Sequence, residues 1–315
     1  MATSSQWISG ARPRTLPVAV APVAVGTAAA LARGQAHLWL AVLALVVSLS
    51  LQVGVNYAND YSDGIRGTDD VRVGPVRLVG QGLAEASEVR RAAGLSFVVA
   101  LLSGLALVAL TSTWWLLLVG LACVLAAWYY TGGQRPYGYS GLGEVFVFVF
   151  FGLVATLGTE YTQAGSISWL GVLGSVGVGA LASAILVANN LRDIPTDSVQ
   201  GKNTLAVRLG DGGTRSLYSG LVAVSLAVVL GCAGLQLGTV PLDDPGALAA
   251  LRPQGHGVPS ALVALVSYGL AVPLLRVLRR GATGRDLIPV LAGTGRFQLV
   301  WSVLLAAGIA AGPHL

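Results

Sequence analysis

The order of hydrophobic and polar positions repeats one theme nine times. A run of roughly 17–25 mostly apolar residues, the length a helix needs to cross the hydrocarbon core of a bilayer, is followed by a mostly short polar linker. The runs centre near Val25, Leu45, Leu102, Leu121, Leu153, Leu181, Val228, Leu265 and Leu304. Barrel strands would instead show segments of about ten residues with alternating polarity. The pattern predicts an all-α membrane protein, a single polytopic domain over residues 1–315 built as a bundle of nine transmembrane helices. Composition agrees: 54% of the 315 residues are hydrophobic and 10% charged, with a mean hydropathy of +0.73, whereas soluble domains carry about 25% charged residues.

Charge then fixes an orientation, because Lys and Arg in short loops stay on the cytoplasmic side. With the N-terminus inside, seventeen of the nineteen cationic residues fall in inner loops, and only Arg33 and Arg252 fall outside. The net charge of +5 is thereby read as topology and contact with anionic lipid, with no nucleic acid as partner. A cleaved signal peptide ending in "AVGTAAALARGQA" is the competing reading of the N-terminus; the first run is long enough to span, and Arg12 and Arg14 anchor its inner end. Cys123 and Cys232 lie within spans and read as packing residues. His37, His256 and His314 fall on the outer side without metal-ligand spacing. Glu144 and Glu160 mark the two ends of the fifth span, Glu160 as an interfacial residue.

Candidate chemistry begins at "NDYSDGIRGTDD", from Asn59 at the inner end of the second span. A lone acidic cluster after a helix is ordinarily a solvated loop, but this one recurs. "NNLRDIPTDSVQGKN" starts at Asn189, at the end of the sixth span, and aligns without a gap at an offset of 130 residues. Asn59 matches Asn189, Asp63 matches Asp193, Gly67 stands opposite Asp197, and Arg72 opposite Lys202. The chain thus reads as two pseudo-repeated halves, with one motif at 56–77 and the other at 189–208. Residues four apart share a helix face, so each Asn-Asp pair presents two oxygen ligands together. Asp60, Asp69 and Asp70 add carboxylates to the first copy, and Asp197 extends the second if the helix persists past Pro195, where irregularity is expected. Carboxylates near a membrane are rarely left unpaired. Mg2+ is the natural partner, since it takes oxygen ligands from a few carboxylates plus substrate phosphates; the substrate inferred is a diphosphate. Lys202, the only lysine in the chain, suits a phosphate contact, with Arg208 nearby and Arg66, Arg72 and Arg77 after the first motif. For Arg72 and Arg77 a purely topogenic role is equally open.

These residues resemble the UbiA superfamily of intramembrane prenyltransferases, whose two aspartate-rich motifs lie on the second and sixth of nine helices. "RPRTLPVAVAPV" from Arg12, "GPVRLVGQG" from Gly74, "YTGGQRPYGYSGLGE" from Tyr130 and the two motifs are similar, in order, to the 1,4-dihydroxy-2-naphthoate polyprenyltransferase branch. Relatives that prenylate 4-hydroxybenzoate carry a further Asp where Gly67 stands, a departure shared with the naphthoate branch; which carboxylate completes the first metal site stays open. The resemblance implies Mg2+-dependent transfer of a polyprenyl group from polyprenyl diphosphate to dihydroxynaphthoate with loss of carbon dioxide. It implies Asn59, Asp60, Asp63, Asn189, Asp193 and Asp197 as metal ligands, and Lys202, Arg72, Arg135 and Arg208 as diphosphate contacts. Arg12 or Arg14 would meet the acceptor carboxylate. Tyr137, chosen from the aromatic cluster Tyr57, Tyr61, Trp128, Tyr129, Tyr130, Tyr137 and Tyr139, would shield an allylic cation.

Three rival functions share parts of this pattern. A UbiA-type enzyme for another aromatic acceptor keeps every motif. A CDP-alcohol phosphotransferase is suggested by "DYSDGIR", but Gly67 and Thr68 replace its Ala-Arg pair and the second acidic motif is far away. A cation transporter would use repeated halves, yet basic residues flank these carboxylates and no polar path reaches the outer face. Arg in place of nearly all Lys, with abundant Ala, Gly and Val, suggests a high-GC bacterium and hence its plasma membrane, with the active site toward the cytoplasm.

Overall fold

In lipid a chain must satisfy its own backbone N–H and C=O groups, which a helix does within one segment. The computed structural model describes residues 2–67, 76–238 and 258–312, and every regular element among them is helical. A short α1 (Ser4–Gly10) is closed by a capping box between Thr3 and Gln6 and leads into α2 (Pro17–Leu31). The two meet at a 49° bend, made by Pro13, Pro17 and the left-handed backbone of Arg12 (φ 53°). Then follow α3 (Leu38–Gly64), α4 (Ala86–Thr111) and α5 (Leu116–Tyr129). The next span is composite: α6 (Gly143–Val147), a π-helical stretch over Phe148–Val154, and α7 (Ala155–Ala164). After it come α8 (Trp169–Val199), α9 (Leu205–Gln236), α10 (Tyr268–Arg279), entered through a 3-10 segment Ser260–Ser267, and α11 (Ile288–Ala311).

Seven of the described helices are long and apolar enough to cross a membrane, and the bent pair of α1 and α2 makes an eighth. The sequence predicts nine, and the difference lies at α5. Its 14 residues rise about 21 Å, short of a hydrocarbon core about 30 Å thick. Trp114 and Trp115 precede it, and Gly133, with φ 77°, turns the chain away after it.

Helix α8 is the axis of the bundle: 78% of its apolar window is buried, more than in any other described span. Its "GVLGSVGVGALASAILVA" run explains why, since small residues let neighbouring backbones approach closely. A Cβ on Gly177 would stand 2.3 Å from the ring of Trp301 on α11, and one on Gly179 would be 3.1 Å from the Cα of Gly152 in the π-helical stretch. Around this axis a core of Val25, Leu181, Tyr218, Phe297, Trp301 and Leu305 is buried between α2, α8, α9 and α11. A smaller cluster of Tyr57, Leu78, Val89, Ala93 and Phe97 joins α3 to α4.

At two positions the structure departs from what the sequence predicts. Pro195 does not interrupt α8, which runs on to Val199, so Asp197 keeps its helical register with Asp193. Glu160 is fully buried, not interfacial: its Oε1 accepts from the backbone N–H of Ser168 at 2.9 Å, at the start of α8, and lies 4.0 Å from Arg33 Nη1.

Candidate active site

The C-terminal ends of α3 and α8 carry the two motifs to the same end of the bundle, where both line one cavity of about 390 Å³. Asn59 and Asp63 reach it from α3, and Asn189, Asn190 and Asp197 from α8. Lys202, Arg77, Arg12 and Tyr139 complete its polar end. Along α3 the lining runs from Asp63 to Ala44, a depth of about 28 Å at the helical rise. Beyond the motifs the walls are predominantly apolar, with Leu51, Val55, Leu101, Leu105, Leu117, Val124 and Phe151 among them.

Asp63 is the centre of the charged end. The Tyr139 hydroxyl donates to its Oδ1, Lys202 Nζ lies 3.9 Å from the same oxygen, and Arg77 Nη2 lies 3.7 Å from Oδ2. Lys202 also sits over the Tyr139 ring, 4.6 Å from its centroid. All three charged side chains are buried, so these attractions are little screened by solvent. Asn59 accepts from the Thr131 hydroxyl at 2.8 Å, which fixes its amide. Arg66 donates to the carbonyls of Thr131 and Gly133, clasping the 131–133 turn to the end of α3.

The donor set fits a hard cation. Asn59, Asp63, Asn189 and Asp197 bring amide and carboxylate oxygens to one end of one cavity, the ligand type Mg2+ takes alongside substrate phosphates. Among the described residues no three His, Cys, Asp or Glu side chains gather closely enough to hold a metal alone. The expectation that Asp60 and Asp193 are ligands meets a different geometry. Neither lines the cavity. Asp60 is one residue round the helix from the Asn59–Asp63 face, and its two oxygens accept from the backbone N–H groups of Leu78 (2.7 Å) and Val79 (3.1 Å). Asp193 is gripped by the buried Arg192, whose Nε and Nη2 donate at 2.7 and 2.8 Å; the same Nη2 donates to Asn189 Oδ1 at 2.9 Å, so Arg192 ties the two motif residues together and Asn189 keeps only its second lone pair for a cation.

The expected cations divide similarly. Lys202 and Arg12 line the cavity. Arg14 and Arg135 are exposed and do not. Arg208 is also exposed and acts as a strut, donating to the Asn203 carbonyl at 3.2 Å and the Ser140 carbonyl at 2.9 Å. Arg72, Asp69 and Asp70 lie outside the described residues. Arg77, for which topology alone was an equal reading, lies beside Asp63, next to the Leu78 and Val79 N–H groups that Asp60 pins.

Tyr137 is on the cavity wall as expected. Its hydroxyl donates to the Ala126 carbonyl at 2.8 Å, and its ring stacks on Phe146 at a centroid distance of 4.0 Å. Tyr130 meets it edge-on at 5.5 Å, and Phe150 continues the row at 5.9 Å from Phe146. Burial raises the Tyr137 phenol above its ordinary pKa, so it stays neutral. Sequence reasoning passed over Asn190, next to the motif residue Asn189. It donates from Nδ2 to Glu144 Oε1 at 2.9 Å, joining the "GLGE" loop to the second motif; the acidic residue in that loop was the available signal.

The UbiA prenyltransferase family model matches residues 19–283. The chain is 52% identical over 312 residues to a 1,4-dihydroxy-2-naphthoate octaprenyltransferase of Mycobacterium tuberculosis, covering 99% of each chain. It is 43% identical over 227 residues to the protein of that name from Escherichia coli, covering 70% of this chain and 73% of that one. Among solved structures, the fold is similar to a UbiA homolog from Aeropyrum pernix K1 (TM-score 0.64, 16% identity, 93% of this chain and 96% of that one). It is also similar to a UbiA homolog from Archaeoglobus fulgidus bound to GPP and Mg2+ (TM-score 0.60, 16% identity, 96% and 99% covered).

Proposed function

The chain belongs to the UbiA prenyltransferase family, and from that premise we propose that it transfers a polyprenyl group from polyprenyl diphosphate to 1,4-dihydroxy-2-naphthoate. Carbon dioxide and diphosphate leave, and demethylmenaquinol is formed. One observation carries this reading: a single cavity is lined at one end by Asn59, Asp63, Asn189, Asp197, Lys202 and Arg77, and along its depth mainly by apolar side chains. That division of polarity suits a diphosphate head with a long hydrocarbon tail. Relatives named for this reaction at 52% and 43% identity favour the naphthoate acceptor.

The residues divide the work as follows. Lys202 and Arg77 bind diphosphate oxygens, and Asn59, Asp63, Asn189 and Asp197 hold Mg2+. Bound Mg2+ supplies Lewis-acid neutralisation of the departing diphosphate. The carbon–oxygen bond of the allylic diphosphate breaks with both electrons on oxygen, where Lys202 and Arg77 stabilise the growing charge. The aromatic row of Tyr137, Phe146 and Phe150 borders the allylic cation, and the apolar walls keep water from it. The ring carbon bearing the carboxylate attacks, a carbon–carbon bond forms, and loss of carbon dioxide returns its electron pair to the ring. No proton leaves that carbon, so no base is required there. Arg12 is the partner for the acceptor carboxylate until it leaves.

The same reading makes the chain one polytopic domain over 1–315 with nine spans, α5 being the shortest. Its N-terminus and active site face the cytoplasm across a bacterial plasma membrane. The two motifs, at 56–77 and 189–208, are the inner ends of pseudo-repeated halves; the gapless match between them and the inner-loop excess of Arg support this arrangement.

The test is an assay of purified protein in detergent with dihydroxynaphthoate, labelled polyprenyl diphosphate and Mg2+, beside EDTA and the variants Asp63→Ala and Asp197→Ala. Metal-dependent prenylated naphthoquinol, lost in both variants, is the expected result. Wild type that prenylates 4-hydroxybenzoate and leaves dihydroxynaphthoate untouched would overturn the acceptor; wild type that releases no diphosphate with any acceptor would overturn the activity.

A further inference from the structure

Glu144 is buried on α6, outside the cavity, and plays no part in the chemistry above. Its Oε1 accepts from Asn190 Nδ2 at 2.9 Å, while its backbone carbonyl accepts from the Ser183 hydroxyl at 3.1 Å. The carboxylate is therefore held against α8 from both ends of the residue. The consequence falls on Asn190, which lines the cavity. An amide has two ends, and one of the two N–H groups on the donating end is committed to Glu144, which sets the amide's orientation. Asn190 Oδ1 accepts no hydrogen bond from any described residue, which leaves an acceptor on a side chain that lines the cavity. Glu144 thus fixes the amide so that the cavity is offered an acceptor.

The ligand this selects follows from hydrogen-bond inventory. A prenyl diphosphate has acceptors and carbon, with no donor of its own, so it has nothing to offer a carbonyl oxygen. A hydroxylated aromatic ring has donors. The cavity that Asn190 lines also has a wall suited to such a ring: Tyr137 stacks on Phe146 at 4.0 Å, and Phe150 extends the row. Phe146 stands two residues after Glu144 in the same short helix, so α6 supplies both the aromatic face and the grip on Asn190.

We propose that Asn190, oriented by Glu144, accepts a hydrogen bond from a ring hydroxyl of the aromatic acceptor stacked along Tyr137 and Phe146, and so selects hydroxylated aromatic acceptors. This rests on the acceptor reading given above. Asn190 touches substrate, and Glu144 is a positioning residue. The bond strengthens as the ring attacks, because electron donation from the hydroxyl oxygen makes its proton more acidic. Selection of this kind is steep, since a ligand lacking the hydroxyl leaves a polar group of the site unpaired.

The experiment pairs variants with acceptors that lack one hydroxyl, 1-hydroxy-2-naphthoate and 4-hydroxy-2-naphthoate, as competitors of dihydroxynaphthoate. In wild type one of the two binds roughly tenfold more weakly than the other, the range of one hydrogen bond. In Asn190→Leu that difference vanishes and the KM for dihydroxynaphthoate rises by a similar factor, while the KM for polyprenyl diphosphate stays within about twofold. Glu144→Leu frees the amide to rotate and reproduces the loss; Glu144→Gln, whose side-chain carbonyl still accepts from Asn190 Nδ2, restores most of it. A rise in the prenyl diphosphate KM, or equal discrimination by wild type and Asn190→Leu, would overturn the proposal. If Asn190→Leu does not fold, equal binding of the two competitors by wild type does the same. A wild type that prenylates no naphthoate fails before any variant is made, which separates failure of the acceptor reading from failure of this one.

Discussion

Replacing Asp60 by Asn separates an anchor from a metal ligand. Asp60 is almost fully buried, and each carboxylate oxygen accepts one backbone N–H, from Leu78 at 2.7 Å and from Val79 at 3.1 Å. Asparagine keeps one acceptor and turns an N–H2 toward the other donor, so one charge-assisted hydrogen bond is lost and a buried N–H is left facing another. Hydrogen bonds to charged groups contribute about 1.5–3 kcal/mol, and at a site this buried the upper half of that range applies. The expected result for Asp60→Asn is a lower unfolding midpoint in detergent. Arg77 is one residue before Leu78, so a loosened loop also raises the KM for polyprenyl diphosphate. The Mg2+ concentration for half-maximal rate stays within about twofold of wild type. Asp63→Asn behaves in the opposite way, with a much higher Mg2+ requirement and a smaller change in midpoint. Two measurements decide the matter: thermal unfolding followed by tryptophan fluorescence, and Mg2+ titration of the initial rate. If Asp60→Asn keeps its midpoint and loses Mg2+ affinity as Asp63→Asn does, the anchor reading is refuted and Asp60 is a ligand.

Lys202→Met keeps the apolar stem and removes the charge 3.9 Å from Asp63; the KM for polyprenyl diphosphate should rise roughly tenfold or more, with the acceptor KM little changed. Arg208→Ala removes only a strut between two loops and should alter kcat/KM by less than about threefold, whereas a diphosphate contact would show a far larger loss in the same assay. Gly177→Ala places a Cβ 2.3 Å from Trp301, and overpacking of this kind costs about 1–3 kcal/mol; a lower unfolding midpoint with unchanged KM values is expected. Tyr139→Phe removes the hydroxyl bonded to Asp63 while keeping the ring beneath Lys202, so the rate at limiting Mg2+ should change more than the prenyl diphosphate KM.

Much of this site was legible in the sequence, because both motifs obey the helical repeat. Asn59 and Asp63 are four apart and do face the cavity together, as do Asn189 and Asp197 at twice that spacing. Asp193 shares their face too, with Asn189 Nδ2 3.5 Å from its Oδ2, yet it does not line the cavity. There a neighbour intervened, since Arg192 folds back onto Asp193 and no periodicity encodes which carboxylate an adjacent guanidinium will take. Asp60 failed for a longer-range reason: its partners are the N–H groups of a loop 18 and 19 residues away, visible only once the chain returns. That return also brought Arg77 to Asp63, a role hidden in a residue that charge counting treats as topology. Glu160 looked interfacial because hydropathy marks where a span ends and not what packs on it; the start of α8 covers it. The short α5 stands out for a related reason, since Trp114 and Trp115 extend the apolar run without extending the helix.

The contact between Gly177 and Trp301 has an evolutionary reading. Any side chain at 177 meets an indole that is fully buried and has no room to retreat, while a smaller residue at 301 would leave a void that the rigid α8 is poorly able to close. Neither position can drift alone without passing through a poorer protein, although a paired exchange of volume could succeed. The two sites, 124 residues apart in the chain, should therefore be inherited as one. In a family alignment they would be read as a covarying pair, remote from the chemistry and yet among the most constrained positions of the bundle.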